Sequence, residues 1–276
     1  MIKANYHTHL FYCHHADGNA SDYILEAIKN NFLEIGITDH APVLECFMTR
    51  EEYVHTWSHQ PMKLDTMYKE YLPELKKAKE DFKDKIKVLS GFEVEFLPGH
   101  EYYIEKLRKE VDYLNLGVHF FDFNGKVLNS YYDVTNVTIY GYLKAVLDGV
   151  ETGLFNTLVH PDLFMFAYKN KDGKREFDEA CYDVSRQIIE CCIKNNVYLE
   201  LNANGLRNSI VYSDGTGWLY PSRCFWQLVS EYKDAKVIVG ADAHKTSALV
   251  CDNVSKVLEF ADELGVKVCE LMEINH

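Results

Sequence analysis

Short apolar runs alternate with polar turns and with longer segments of helical periodicity along the whole chain. Seven of the runs are rich in Val, Ile, Leu or aromatic residues and are bounded by polar, Gly or Pro positions, which is typical of buried strands. They are IKANYHT, EIGITDH, KVLSGFEVEF, YLNLGVHFF, FNTLVHP, VYLELNA and KVIVGADAH. VKVCELMEI, near the end, is a candidate for one further strand.

Four segments between these runs carry apolar residues at the spacing of one helix face. They are SDYILEAIKNN, TMYKEYLPELKKAKEDF, FDEACYDVSRQIIECCIKNN and NVSKVLEFADELG. Ser21 is the expected N-cap of the first helix, and Gly265 is the expected C-cap of the last. Pro73 predicts that the second helix begins late or is kinked, because proline cannot donate a backbone hydrogen bond.

The alternation of strands and helices predicts the α/β class, with a parallel sheet covered by helices. Seven or eight such units in 276 residues indicate a closed, TIM-like (β/α) barrel. No clean linker divides the chain, so we expect residues 1–276 to form a single barrel domain.

Composition narrows the class of function. With 47% hydrophobic residues the chain can bury a large core, and its net charge of −13 argues against general nucleic-acid binding. No apolar run approaches the roughly 20 residues of a membrane span, and the start lacks signal-peptide architecture, so we expect a cytoplasmic protein with no membrane partner. The eight cysteines form no C-x-x-C pair and are expected to be reduced and mostly buried.

Polar residues that can bind metal ions follow the predicted strands. Three pairs lie two residues apart and therefore share one face of an extended strand: His7 and His9, Glu93 and Glu95, and Asp242 and His244. His15, Asp39, His40, His119 and His160 complete the set. Because the carboxyl ends of barrel strands meet at one rim, where active sites of this architecture lie, we expect these side chains to converge.

The chemistry of this set indicates a metal site. A single histidine is more often a hydrogen-bonded core residue, but so many at strand ends are poorly explained that way. Glu93 lies between apolar residues, and a buried carboxylate is costly unless it is paired or binds a cation. Histidine and carboxylate ligands together suit Zn, Fe or Mn.

The motifs HTH, TDH, GFEVEF, GVHFF, HPDL, ELNANGLR and GADAH occur in this order between residue 7 and about residue 245. Together they resemble the PHP (polymerase and histidinol phosphatase) superfamily, in particular its histidinol-phosphatase branch. The resemblance implies a distorted seven-stranded (β/α) barrel with three divalent metal ions at the rim.

The resemblance also implies ligand sets. The first is His7, His9, Glu93 and Asp242, the second is His15, His40 and His244, and the third is Glu93, His119 and His160. His14 is the alternative to His15, which the family spacing favours.

The activity implied is hydrolysis of a small phosphate monoester, L-histidinol phosphate, to L-histidinol in histidine biosynthesis. A metal-bridging hydroxide is the expected nucleophile. Arg207 resembles the arginine that contacts the substrate phosphate, and Asp242 or His244 is a candidate for proton transfer to the leaving group.

Some residues lie outside the motifs that carry the resemblance. Glu45, Trp57, Phe121 and Asp162 are candidates for a pocket wall around the amine and imidazole of the substrate. His55, His59, His100 and His276 match no motif and are expected at the surface. The alternatives are another phosphoesterase of the superfamily, acting on nucleotides, sugar phosphates or phosphotyrosine, a non-catalytic metal-binding module, and an amidohydrolase. The oligomeric state is not predicted.

Overall fold

The computed structural model describes residues 2–46, 48, 60–207, 209–212 and 215–274. Seven parallel strands form the central sheet. In spatial order they are β1 (Ala4–Asn5), β2 (Glu34–Ile37), β3 (Lys87–Val94), β4 (Tyr113–Leu116), β7 (Thr157–Leu158), β8 (Tyr198–Asn202) and β11 (Val237–Gly240). Two antiparallel hairpins, β5 (Phe120–Phe123) with β6 (Lys126–Asn129) and β9 (Ser209–Tyr212) with β10 (Gly215–Trp218), lie outside it. Each of the seven predicted strands contains one strand of the sheet.

The sheet closes on itself beyond the carboxyl ends of its first and last strands. Thr8 pairs in parallel with Ala243. The amide of His9 donates to the Ala243 carbonyl at 2.8 Å, and the Ala243 amide donates to the His7 carbonyl at 3.2 Å. The predicted α/β, seven-stranded TIM-like barrel is therefore confirmed, and its closure lies at the level of the predicted site.

Helices cover the outside of the sheet. They are α1 (Ala20–Lys29), α2 (Leu64–Thr66), α3 (Leu72–Phe82), α4 (Glu101–Glu110), α5 (Ile139–Glu151), α6 (Glu179–Lys194), α7 (Arg223–Glu231) and α8 (Asp252–Leu264). The sequence predicted α1, α3, α6 and α8 but missed α4, α5 and α7. A π-helical turn, Met67–Tyr71, joins α2 to α3, and Pro73 lies in the first turn of α3, so the predicted interruption is confirmed.

Two predicted details differ in the structure. The N-cap of α1 is Asn19, whose side chain accepts from the Asp22 amide while Asp22 accepts from the Asn19 amide, so Ser21 lies inside the helix. VKVCELMEI forms a single bridge, between Val268 and Val237, and no strand. Gly265 ends α8 in the left-handed conformation, φ 72°, as predicted.

Aromatic side chains fill the barrel below the site. Tyr6 and Tyr113 are buried together with Met272 from the C-terminal segment. A Cβ on Gly36 would overlap the ring of Tyr113, so this strand position must lack a side chain. The polar rim thus rests on a packed floor, which limits how far its side chains can shift.

Within the described residues, no helix combines the length and apolar character needed to cross a membrane.

Candidate metal centre

All nine positions predicted to bind metal lie at the carboxyl-terminal rim of the barrel, around Glu93. This glutamate is 3% exposed, in β3. One carboxylate oxygen, Oε1, lies 2.9 Å from His160 Nε2 and 3.4 Å from His119 Nε2. The other, Oε2, lies 3.2 Å from His40 Nδ1 and 3.3 Å from His7 Nε2. One buried carboxylate therefore contacts histidines from four different parts of the chain.

The second carboxylate of the centre is Asp242. Its Oδ1 lies 3.1 Å from His9 Nε2, 3.4 Å from His244 Nδ1 and 3.7 Å from His7 Nε2. The same His7 and His9 nitrogens lie 3.1 Å apart. As predicted for residues two apart on a strand, His7 and His9 face the same point.

His15 joins the centre from the loop after β1. Its ring lies 4.6 Å from that of His244 and 5.5 Å from that of His40. His14 and His15 are both exposed, and His14 adopts a left-handed backbone conformation, φ 63°. The structure therefore places His15 among the other rings, as the family spacing predicts.

Two of the converging residues have strained backbones. His160 has φ 34° and Asp242 has φ 46°, a region that residues other than glycine rarely adopt. Each lies two residues beyond the end of a strand, after Leu158 and after Gly240. Such strain persists where the surrounding structure over-determines it, which is common at functional sites.

Electrostatics keeps both carboxylates ionised. Burial raises the pKa of Glu93, but His40, His7 and His119 more than offset this and hold it well below its ordinary value. Burial likewise opposes ionisation of Asp242, and His7, His9 and His244 hold its pKa well below the usual range. Burial lowers the pKa of His244 to about 3, so this ring is neutral near pH 7.

The donor atoms suit a divalent cation. Among the residues that the structure describes, four groups of three bring one ligand atom each within 4.8 Å of one another, and three of these groups consist of predicted residues. They are His7, His9 and Asp242; His7, Glu93 and His160; and His9, His40 and Glu93. Imidazole nitrogen and carboxylate oxygen are ligands that Zn, Fe and Mn accept.

The fourth group is His9, Cys13 and Asp39. Burial raises the pKa of the Cys13 thiol to about 11, so the thiol stays protonated, and it donates to the Leu10 carbonyl at 3.1 Å. A protonated thiol is a poor metal ligand, because the thiolate is the form that binds metals. Asp39 instead holds the loop, accepting from the Leu10 amide at 3.3 Å and the His40 amide at 2.8 Å.

Arg207 ends the one-turn helix Asn204–Arg207, and its side chain is exposed. The first residue of that turn reaches the centre, since Asn204 Nδ2 donates to Asp242 Oδ2 at 3.0 Å. Arg207 follows Asn204 by three residues in this turn. A role in binding phosphate stays a prediction.

Two further carboxylates contact histidines of the centre: the half-buried Glu95, which the sequence paired with Glu93, and the buried Glu200, which sequence reasoning missed. Glu200 lies 2.7 Å from His7 Nδ1, and Glu95 lies 2.5 Å from His119 Nδ1. The sequence held the signal for Glu200, because Glu200 lies between leucines in a predicted strand just as Glu93 lies between apolar residues.

Several expectations about other residues were wrong. Phe121 is fully buried and packs edge-on against Tyr142 of α5, so it forms core and no pocket wall. Asp162 is 1% exposed, and burial raises its pKa to about 7, so it offers no ready charge to a substrate amine. His100 is 2% exposed and is not a surface histidine.

The remaining expectations are not contradicted. Glu45 is exposed, and the structure does not describe Trp57, His55, His59 and His276.

Residues 5–204 match the family model of the PHP domain, which covers most of the chain. A Deinococcus radiodurans protein named "Probable histidinol-phosphatase" is 25% identical over 269 residues, covering 94% of this chain and 93% of that protein. The histidinol-phosphatase of Bacillus subtilis is 23% identical over 273 residues, covering 89% of this chain and 94% of that one.

The fold is also that of a solved relative. The histidinol phosphate phosphatase of Lactococcus lactis, crystallised with zinc, L-histidinol and phosphate, superposes with a TM-score of 0.68 at 18% identity, covering 96% of this chain and 95% of that one. The resemblance of the ordered motifs is confirmed, and this chain belongs to the PHP domain family.

Proposed function

We propose that this protein is a metal-dependent phosphatase that hydrolyses L-histidinol phosphate to L-histidinol and phosphate in histidine biosynthesis. The observation that carries the proposal is the convergence of seven histidines and Asp242 around the buried carboxylate of Glu93. Two relatives that the chain matches over most of its length bear the name histidinol-phosphatase, which favours this substrate over other phosphate monoesters.

The nine residues suit three divalent ions, Zn, Fe or Mn. His7, His9, Glu93 and Asp242 would hold the first ion; His15, His40 and His244 the second; and Glu93, His119 and His160 the third. Bound ions would lower the pKa of a water and balance charge on the phosphoryl oxygens. Among the nine residues only Glu93 and Asp242 carry negative charge, so the loaded centre would be strongly positive and suited to a phosphate dianion.

The chain's own residues act around that centre. Arg207 would contact two non-bridging phosphate oxygens through two parallel hydrogen bonds, an arrangement that its planar guanidinium favours. His244 is half-buried at the rim, with Nδ1 3.4 Å from Asp242 Oδ1. Either residue would serve as the proton-transfer group for the leaving alkoxide, and each would first have to take up a proton, because Asp242 is ionised and His244 is neutral near pH 7. Tyr131 lies parallel to the His119 ring at 6.0 Å, and this half-buried ring would contact the substrate imidazole.

The remaining parts of the proposal concern the whole chain. Residues 1–276 would form a single barrel domain that acts in the cytoplasm. A small molecule is the partner that a centre of this size and charge suits, and nucleic acid is disfavoured by the net charge of −13.

A substrate panel tests the function. Purified protein, reconstituted with Zn2+, Fe2+ or Mn2+ in separate samples, is assayed for phosphate release from histidinol phosphate, AMP, glucose 6-phosphate and phosphotyrosine. We expect kcat/KM for histidinol phosphate to exceed the others by at least about 100-fold, with activity lost on chelation and restored by the ion. Equal rates on all four would instead support a broad phosphoesterase, and activity that survives chelation would exclude metal-dependent catalysis.

A further inference from the structure

Glu200 is a buried carboxylate that the nine-residue set does not use. It lies in the middle of β8 and is 1% exposed. Its Oε1 lies 2.7 Å from His7 Nδ1, and its Oε2 accepts from the His160 amide at 3.1 Å and from Asn202 Nδ2 at 2.9 Å. Both oxygens are therefore engaged, and each reaches a residue of the metal centre or its immediate neighbour.

The contact with His7 determines which ring nitrogen faces the centre. With the Glu200 carboxylate as the acceptor of this hydrogen bond, Nδ1 of His7 carries the proton. In the neutral ring the lone pair then lies on Nε2. That nitrogen is the one 3.3 Å from Glu93 Oε2 and 3.1 Å from His9 Nε2.

The neighbouring strand leaves space for this carboxylate. A Cβ on Gly240, in β11, would overlap the carboxylate of Glu200. β11 pairs with β8, and Gly240 lies opposite Asn202. The glycine is thus required by the carboxylate and not by a turn.

Glu200 also connects to the second carboxylate of the centre. The Asn202 amide nitrogen that donates to Glu200 lies 3.3 Å from Asp242 Oδ2. One side chain therefore contacts His7, the backbone of His160 and, through Asn202, Asp242. These residues belong to three different strand ends, which Glu200 holds in a common arrangement.

The same arrangement occurs a second time on another strand. Glu95 Oε1 lies 2.5 Å from His119 Nδ1, while its Oε2 accepts from the amides of His119 and Phe120 at 3.0 and 3.2 Å. His119 then faces Glu93 through Nε2. A carboxylate behind a histidine is thus a repeated feature of this site.

We propose that Glu200 is a positioning residue for metal binding, which fixes His7 in the Nδ1–H tautomer and raises the basicity of its Nε2. The inference rests on the metal-dependent function proposed above. Partners of this kind typically change metal affinity 10- to 100-fold when removed.

The test measures zinc affinity directly. Metal-free wild-type protein, Glu200→Gln and the control Glu34→Gln are titrated with Zn2+ against a chromophoric chelator, and the unfolding of each metal-free protein is followed by circular dichroism. Glu34 is the matched control because it is 3% exposed, in β2, and its carboxylate pairs with Tyr6 and with Lys87 at 2.7 Å, at the opposite end of the barrel.

We expect Glu200→Gln to bind Zn2+ 10- to 100-fold more weakly and Glu34→Gln to bind it as the wild type does. Equal zinc affinity of wild type and a folded Glu200→Gln would overturn the proposal. If Glu200→Gln does not fold, the protonation site of the His7 ring in the wild-type protein tests the proposal instead. In zinc-loaded wild type, 15N shifts of the ring, assigned by comparison with His7→Gln, should show the proton of His7 on Nδ1. A proton on Nε2 would contradict the inference.

The two proposals fail separately. A wild type that binds Zn2+ but does not hydrolyse histidinol phosphate would refute the proposed substrate, and the zinc titration of Glu200→Gln would still decide the role of Glu200. Full activity together with unchanged zinc affinity in Glu200→Gln would refute the positioning role alone.

Discussion

A side chain at Gly117 and the carboxylate of Glu93 cannot occupy the barrel together. A Cβ on Gly117, the residue after β4, would overlap Oε1 and Cγ of Glu93. The strand next to Glu93 therefore leaves open the space that the central carboxylate fills.

Replacing Gly117 by alanine should displace Glu93 and weaken metal binding. We expect Gly117→Ala to lose zinc affinity and, because the site is packed, about 1–3 kcal/mol of stability. The matched control is Gly149→Ala in α5, where the new Cβ would meet the side chain of Leu116. Both variants should melt at a lower temperature, but only Gly117→Ala should bind less Zn2+ in a chelator competition. Equal zinc affinity in the two variants would contradict the prediction.

Removing the charge of Glu93 should have a larger effect than removing any single histidine. Glu93→Gln keeps the shape but loses the carboxylate that His7, His40 and His160 surround. We expect zinc affinity to fall by more than about 100-fold, beyond the range for residues that only support a ligand. Elemental analysis after dialysis measures this. Retention of the wild-type zinc content would show that Glu93 is not a ligand.

Arg207 should act on phosphate and not on metal. We expect Arg207→Ala to lower kcat/KM for histidinol phosphate by about 100-fold, as for the loss of one preorganised donor, and to weaken inhibition by inorganic phosphate. Zinc content should not change. Arg223→Ala is the control, since Arg223 is exposed and pairs with Glu263 at 3.1 Å. Phosphate inhibition unchanged in Arg207→Ala would remove this residue from the site.

Metal uptake should release protons near neutral pH. Burial lowers the pKa of His7, but Glu200, Asp242 and Glu93 more than offset this and raise it well above its ordinary value. The metal-free protein therefore holds a proton on this ring at pH 7, and zinc must displace one. We expect zinc affinity to rise with pH by at least about tenfold between pH 6 and pH 8. Calorimetry in two buffers of different ionisation enthalpy counts the protons, and heats that do not depend on the buffer would refute the prediction.

The cap of α1 provides a test of stability away from the metal centre. Asn19→Ala removes the hydrogen bond from the Asp22 amide at 3.1 Å and should cost about 1 kcal/mol. Ser21, the cap expected from sequence, lies within the helix, so Ser21→Ala should change the free energy of unfolding little. Urea denaturation measures both variants. A larger loss for Ser21→Ala than for Asn19→Ala would support the sequence-based cap instead.

Most of the architecture could be predicted because its signals are local. Each of the seven apolar runs contains a strand of the sheet, and Gly265 and Pro73 mark a helix end and a helix interruption. The N-cap of α1 was misplaced by two residues, because Asn, Ser and Asp all cap helices and only the backbone geometry selects among them. Hairpin β5–β6 was also missed, since YLNLGVHFF appears continuous although the strand ends at Leu116.

By itself, the sequence determined the order of the seven sheet strands, the barrel class and the polar positions near the strand ends, because residue periodicity and strand-end position are properties of the local chain. The family resemblance selected nine of those positions as metal ligands. Only the tertiary structure decided which groups support those nine. Glu200 and Glu95 lie behind His7 and His119, and Gly117 and Gly240 make room for carboxylates on adjacent strands. These relationships depend on the register and closure of the sheet, which bring together residues far apart in sequence.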